Sequence, residues 1–487
     1  MTLFDAQTLI VLIVLGAPAA LLAWSWPFQV MAVLVLLVPF RDLSIRWMNA
    51  GTDLSAAWVN AFSRWWYIMI LALLGVVILQ AALHWRKSGW TPRLRSLDAL
   101  FGLILLVAML YALVSPDLKA GITSLRGYLQ PMAVFLLARA MRPTRQHLRI
   151  LLALMLIVGA LMAAFELWQF FGWSEADYRG HGYIRQNGEL VAPPVWIQER
   201  EIIRPTSTVS GPNELGVDMI ILSMLAGLAA VELRSRGCFA ATGLALLFFV
   251  GLALTFSRSA FLGWLAALGF VLLFYMRRTA ETDVRQALQR RSWVPLLTAA
   301  LVALLGVAAY RLGTVELLRH TLQTFTQQYH IQDSLEAIRY LAANPGGVGM
   351  GFVEPKGAFY LMAIEGKYHV EGSLFQIAME MGVWGLALWL AFWGSCLAVL
   401  WRAWDRVGDP TLRVFVGTAF ASWVGALVAF VFLPLMQSVS LMVWLWFLLG
   451  LGVSAEAVEA DWTASSYDAA GSGFGPVRKY LALWDAS

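Results

Sequence analysis

Four short segments of the chain hold most of the residues able to do chemistry. The first is Arg204-Pro-Thr-Ser-Thr-Val-Ser-Gly-Pro-Asn213-Glu214-Leu-Gly216, where a permanent positive charge precedes two helix-breaking prolines and a run of small polar residues. Ser210 to Asn213 are of the types that cap a helix, here one beginning near Glu214. A helix N-terminus offers unpaired N–H groups and a positive dipole end, which suits an anion, phosphate above all. The plainer alternative is a loop that simply starts a helix. The second segment, Thr255-Phe-Ser257-Arg258-Ser259-Ala260, lies between two long apolar runs with no room for a loop. The third, Asn344-Pro-Gly-Gly-Val-Gly-Met-Gly351, is rich in glycine but lacks the Lys-Ser/Thr of a nucleotide P-loop, which excludes an ATPase. The fourth, Tyr368-His369-Val-Glu371-Gly-Ser373, sets one of six histidines at the entrance to an apolar run. A histidine with its ordinary pKa of about 6.5 is a competent general base at neutral pH, although a lone loop histidine is more often a surface residue.

The elements that must position these segments are membrane spans. Of the 487 residues 60% are hydrophobic and only 13% charged, and the mean hydropathy is +0.69. Soluble domains carry about 25% charged residues, so an ordinary soluble enzyme, a disordered chain and a nucleic-acid-binding domain are excluded together. The apolar residues come in runs of membrane-spanning length, and such runs fold as helices because the backbone must satisfy its own hydrogen bonds in lipid. Spans are expected at 8–25, 27–40, 66–83, 98–115, 126–141, 148–171, 213–233, 239–256, 259–276, 294–312, 373–401, 414–435 and 437–455, a total of 12 or 13 depending on the short second run and the pair split at Pro434. The fold class is therefore all-α and polytopic. The first residues lack a basic leader, so the first run is taken as a span and not as a cleaved signal. Cys238 and Cys396 form no metal-binding or disulfide pattern.

A net charge of +5 says little until the charges are placed. Arg86, Lys87, Arg93 and Arg95, then Arg139, Arg142, Arg145 and Arg149, then Arg234 and Arg236, then Arg277, Arg278, Arg285, Arg290 and Arg291, and finally Arg402, Arg406 and Arg413 fall in alternate loops. Loops this rich in arginine belong in the cytoplasm. Alternation then divides the chain into N-terminal spans (1–171), an external loop (172–212), spans (213–312), a large external loop (313–372), C-terminal spans (373–455) and an inner tail (456–487) that reads as a mobile terminus, with a short amphipathic stretch at Val477–Trp484. Arg258 lies at the outer membrane surface, where it either snorkels to the head groups or faces a polar cavity or an anion. In the large loop, apolar residues at helical spacing from Val315 to Tyr329 suit a helix along the membrane face. Asp333-Ser-Leu-Glu336 has the spacing of a capping box for a new helix that stops before Pro345. Most of the 23 tryptophans are expected at membrane interfaces or against lipid.

Taken in order, these pieces resemble the O-antigen ligase and O-antigen polymerase superfamily of bacterial inner-membrane proteins. Arg204–Gly216 is similar to the family's segment of Arg, Gly/Thr and Pro-Asn, Thr255–Ala260 to its Ser-Arg turn, and Asn344–Gly351 to its Pro-x-x-Gly-x-Gly element. His369, followed by Glu380-Met-Gly382-Val-Trp-Gly385, is similar to its His-Asn and Glu-x-Gly-x-x-Gly region. The likeness covers roughly residues 200–455. Two positions depart from the pattern. Val370, and not Asn, follows the histidine, and Gln332 and Asp333 stand where many members have an arginine that Arg339, Arg319 or Arg311 would replace.

The resemblance implies a GT-C-like membrane fold with two large periplasmic loops and a metal-independent glycosyl transfer on the periplasmic side of the inner membrane, with no cofactor. The donor is a glycan on undecaprenyl diphosphate, and the acceptor another glycan or the lipid A core; a polysaccharide chain-length regulator is a further partner, and nucleic acid is not. In this picture His369 is the general base and Glu371 orients it. Arg204, Arg258, Arg319 and Arg311 bind the diphosphate, and Asn213 supports them. Guanidinium groups grip phosphate oxygens bidentately and stay charged. A polymerase joining O-antigen, capsule or exopolysaccharide repeat units leads; a ligase acting on lipid A core, or a transferase acting on protein, is the rival within the family. A lipid-linked-oligosaccharide flippase is the rival from another class, and it calls for charged residues buried mid-span. Asp218, Glu166 and Glu380 lie instead near the outer ends of their spans.

Overall fold

The computed structural model describes residues 6–51, 55–88, 96–184, 189–192, 195–197, 200–233, 238–280, 329–355, 368–370 and 372–468. In chain order the helices are α1 (Ala6–Val11), α2 (Ala17–Ser25), α3 (Pro27–Leu37), α4 (Arg41–Gly51), α5 (Ala56–Phe62), α6 (Trp65–Ser88), α7 (Ser96–Leu113), α8 (Leu118–Ala140), α9 (Arg145–Gly172), α10 (Glu175–Gly180), α11 (Pro212–Glu232), α12 (Cys238–Leu254) and α13 (Arg258–Ala280). They continue with α14 (Tyr329–Ala343), α15 (Ser373–Arg406), α16 (Pro410–Phe432), α17 (Val439–Val453) and α18 (Ala455–Asp468). Two short ladders interrupt them: β1 (Val195–Ile197) antiparallel to β2 (Arg200–Ile202), and β3 (Val353–Pro355) parallel to β4 (Tyr368–Val370).

Among the described residues eight helices are long and apolar enough to cross a membrane, or nine if α17 and α18, bent by 51°, form one span. Each expected span coincides with a helix, except 294–312, which lies outside the described residues. The chain is an all-α polytopic membrane protein.

Several boundaries differ from the sequence expectation, each for a local reason. Helix α8 begins at Leu118 and not near 126, because Asp117 accepts bonds from the amides of Lys119 (2.8 Å) and Ala120 (3.2 Å) and caps it early. Helix α14 is already running at Tyr329, so Asp333 does not start it, although it does stop before Pro345. Helix α11 starts at Pro212 on Gly211, and no side chain from Ser210 to Asn213 caps it. After residue 455 the chain is not simply a mobile tail, since α18 has partners. The Glu459 carboxylate accepts the Gly408 (3.0 Å) and Asp409 (2.6 Å) amides, and the Trp462 indole donates to Pro143 O (2.8 Å). The amphipathic stretch at 477–484 lies outside the described residues.

The middle of the bundle is formed by α11, α16 and α17, which are apolar on all faces and buried on nearly all of them. Trp389, Trp393, Trp404, Trp423, Trp444 and Trp446 are fully buried here, so a share of the tryptophans expected against lipid instead fills the interior. The indoles of Trp423 and Trp444 donate to Leu445 O (2.9 Å) and Val35 O (2.6 Å). Hydrophobic attraction does not draw helices together within lipid, so close crossings rely on small residues. Gly263 of α13 lies against the Gly425 carbonyl of α16, and Gly450 of α17 against the Phe135 carbonyl of α8.

At one end of the bundle the arginines of the basic loops meet acids: Arg139 with Asp98, Arg142 with Asp461 (3.0 Å), Arg145 with Asp409 (3.4 Å) and Arg413 with Glu232 (2.9 Å). These loops therefore share a side, as their charge pattern requires.

A side chain at Gly263 has no space beside Gly425, whereas a Cβ at Gly269 meets nothing within 4 Å. Gly263→Leu is expected to cost about 1–3 kcal/mol and to lower the Tm in detergent, while Gly269→Leu leaves the Tm near that of the wild type.

Candidate functional site

At the opposite end, the glycine-rich segment is inserted into a break in α15. Gly382 has a φ of 71° and interrupts the helix. In an unbroken helix the Val383 amide would donate to the Met379 carbonyl, four residues earlier. Here the Met379 carbonyl accepts the Val348 amide (2.7 Å), and the Val383 amide donates to the Pro345 carbonyl (2.9 Å). Gly347, Gly349 and Gly351 all take positive φ, and a Cβ on Gly347 or Gly382 would collide with the facing backbone. The segment is held from the other side by α8 and the turn before it. Ser115 donates to the Met350 carbonyl (2.8 Å), and the buried Glu380 carboxylate accepts the Gly351 amide (3.0 Å), the Ser124 hydroxyl (3.0 Å) and the Tyr128 hydroxyl (2.8 Å). These glycines shape the backbone.

Two residues beyond Gly351, β3 begins, and β4 runs parallel to it with His369 opposite Glu354. Strand β4 ends two residues before Gly372, the N-cap of α15, so the His369 backbone lies at the entrance of a helix. Val353 and Val370 are buried with Ala337, Leu341, Ala378 and Met379 in a small apolar cluster that seats this ladder on α14 and α15. Arg311, Arg319 and Glu371 lie outside the described residues. Arg339 is exposed on α14.

Arg204 and Arg258 come together. The Arg204 guanidinium donates from Nε to the Thr255 carbonyl (2.8 Å) and from Nη2 to Asn213 Oδ1 (2.8 Å). Asn213 thus fixes an arginine and does not cap α11. Arg258 is the first residue of α13, in the turn that follows Thr255, and its side chain is exposed. Burial, and then the neighbouring Arg258 charge, push the Arg204 pKa down to about 10. Arg204 therefore keeps its charge at neutral pH. Among the described residues neither arginine has a carboxylate partner. Glu214, next to Asn213, is occupied elsewhere: it accepts the Ser210 hydroxyl and amide and the hydroxyls of Ser438 and Ser440.

The glycine segment and the arginine pair are joined through the turn between α16 and α17. Ser373, three residues after Val370, donates to the Leu433 carbonyl (2.7 Å) and accepts the Leu435 (2.8 Å) and Met436 (3.2 Å) amides. Ser438 in the same turn reaches Glu214, next to Asn213.

Other residues that build this end carried little signal in the sequence. Arg46 on α4 is buried, stacks over Tyr183 at 4.2 Å from the ring centroid, and donates to Ser210 O (2.9 Å) and Thr206 Oγ1 (3.4 Å). Gln169 near the end of α9 accepts the amides of Thr206 (3.2 Å) and Ser207 (2.8 Å). Together they fix the residues between Arg204 and Asn213. An amphipathic turn following Pro39 was the available clue to Arg46. Glu166 and Asp218 are buried and have no hydrogen-bond partner among the described residues. With Glu380 they stand six or seven residues from the ends of their helices nearest this site, about 9–11 Å along the axis at 1.5 Å per residue.

Residues 243–390 match the family model described as O-antigen ligase, in line with the superfamily that the sequence motifs resemble. The matched region contains Arg258, the glycine segment, His369 and the Glu380–Gly382 break, while Arg204 and Asn213 precede it. No curated protein matches the chain. The match supports glycan transfer in O-antigen or polysaccharide assembly.

Arg46→Ala removes a charged donor from the part-buried Ser210 carbonyl together with a cation–π contact, a loss of about 1.5–3 kcal/mol. Hydrogen exchange across residues 204–211 should accelerate in this variant while α16 and α17 stay protected.

Proposed function

We propose that the protein transfers a glycan from undecaprenyl diphosphate to an acceptor glycan on the periplasmic side of a bacterial inner membrane, polymerising repeat units of O-antigen, capsule or exopolysaccharide. The observation that carries this reading is the Arg204–Arg258 pair. Two like charges held side by side with no carboxylate between them, among the described residues, form a site that gains most from a dianionic ligand. A lipid diphosphate carries its charge at the plane of the head groups, and Arg258 opens α13 while Arg204 precedes α11, both beside span ends.

The acceptor hydroxyl attacks the anomeric carbon from the side opposite the diphosphate. The bond from that carbon to the diphosphate oxygen breaks, the configuration inverts, and the carrier leaves with the electron pair. His369 takes the proton of the attacking hydroxyl, and Glu371 orients the imidazole. Arg204 and Arg258, with Arg319 and Arg311 from the large loop, stabilise the charge that collects on the leaving diphosphate, a task for which fixed guanidinium groups suffice without a metal. Asn213 and the Thr255 carbonyl keep the Arg204 fork aimed. A chain-length regulator is the expected protein partner of a polymerase. The description of the matched family favours a second reading, ligation of the finished glycan onto lipid A core, which uses the same donor chemistry and a different acceptor.

Purified protein in lipid, supplied with an undecaprenyl-diphosphate-linked glycan, should release carrier diphosphate and lengthen the glycan. Transfer only to added lipid A core identifies the ligase. His369→Ala should lower kcat by about 10²–10⁴-fold and remove the fall in rate that protonation of the base causes at acid pH. Arg258→Ala should lower kcat by about 10²–10³-fold, and Arg258→Lys should restore little, because an ammonium lacks the planar fork. Equal release of carrier by wild type and His369→Ala would overturn the role of the histidine.

A further inference from the structure

Glu380 lies on α15 with no exposed surface and no cationic partner among the described residues; all its contacts are to neutral donors. A carboxyl group buried in this way is costly in an apolar setting, and a leucine would fill a similar volume more cheaply. Its presence calls for something a hydrocarbon side chain does not supply. One oxygen is shared by the Ser124 hydroxyl and the Gly351 amide, and the other takes the Tyr128 hydroxyl. Ser124 and Tyr128 are four residues apart on α8, so both face the same carboxyl. Glu380 therefore ties three elements together at one point: α8, α15 and the last glycine of the inserted segment.

That glycine is the last residue held before β3. From Gly351 the chain enters β3 at Val353, and β3 bonds to β4, on which His369 faces Glu354 across the ladder. Fixing the Gly351 amide fixes the start of β3, and through the ladder the height of β4 above the helices.

We propose that Glu380 is a positioning residue for His369: by gripping the Gly351 amide from a site anchored on α8, it sets the register of the β3–β4 ladder and so the place of the imidazole. This inference rests on the assignment of His369 as general base. Glu380 does not touch the substrate. Its effect is geometric, and a displacement of about 1 Å at a reacting group costs on the order of 10²-fold in rate.

The test uses the full chain in lipid nanodiscs, with hydrogen exchange followed over residues 349–353 and 368–372 and turnover measured with an undecaprenyl-diphosphate-linked oligosaccharide. In Glu380→Leu, exchange should accelerate in both stretches, and kcat should fall by about 10- to 100-fold with the donor KM little changed. Glu380→Gln keeps an acceptor for the Gly351 amide and should recover the exchange protection and part of the rate. Tyr128→Phe and Ser124→Ala each remove one anchor and should fall between, so the order of the series is readable even if Glu380→Leu fails to fold. Faster exchange at 349–353 with none at 368–372 would overturn the proposal, as would a rise in donor KM with kcat unchanged. Should His369→Ala prove fully active, the assignment of the base fails, and the exchange at 368–372 still decides whether Glu380 positions the strand.

Discussion

In α15 the carbonyl of Met379 and the amide of Val383 are the right distance apart in sequence to bond each other, and they do not. Each bonds instead to the glycine segment, so one helical hydrogen bond is replaced by two bonds to another part of the chain. The exchange is possible only because Gly382 accepts a backbone conformation closed to other residues and because the glycines opposite leave room for two main chains to touch. Both freed polar groups are satisfied, which membrane surroundings demand. The organisation of this end of the bundle follows from that break. It holds the glycine segment in line with α15, and β3 and β4 continue from it.

The charges of the two ends are handled in opposite ways. At the end carrying the basic loops, Arg139, Arg142, Arg145 and Arg413 each meet a carboxylate. These contacts join helices α7, α8, α9, α11, α16 and α18, and these arginines have no charge to spare for a ligand. At the other end two of the buried acids bond to hydroxyls and not to cations: Glu214 to three serines, and Glu380 to Ser124 and Tyr128. Arg204 is held by a carbonyl and an amide oxygen, which orient it without cancelling its charge. Neutral partners fix the geometry of an arginine and leave its field intact for an anion.

What was legible in the sequence was what neighbouring residues decide. Long apolar runs fold as helices because lipid offers no other partner for the backbone, and arginines of two of the basic loops meet acids at one end of the bundle. The four polar segments were recognisable from residue types within a dozen positions of one another. What was not legible depends on residues far apart. Ser210 and Asn213 have the composition of a helix cap, but a glutamate and an arginine claim their side chains. Gly382 looks like one more small residue in a span, and only the approach of Pro345 distinguishes it from Gly385. Arg46 carried little signal of its place, because its partners Tyr183 and Ser210 are more than a hundred residues away. The tail looked mobile because its composition is polar, and only Pro143 and the Gly408 turn reveal why α18 is ordered.

Glu214 draws together Ser210, just before α11, and Ser438 and Ser440, at the start of α17. A chain emerging from the ribosome makes the arginine loop long before it makes those serines. Until the final helices have been inserted, the carboxylate beside Asn213 lacks two of the hydroxyls that occupy it. Two of the three serine hydroxyls that occupy Glu214 are thus supplied only when the C-terminal helices are in place.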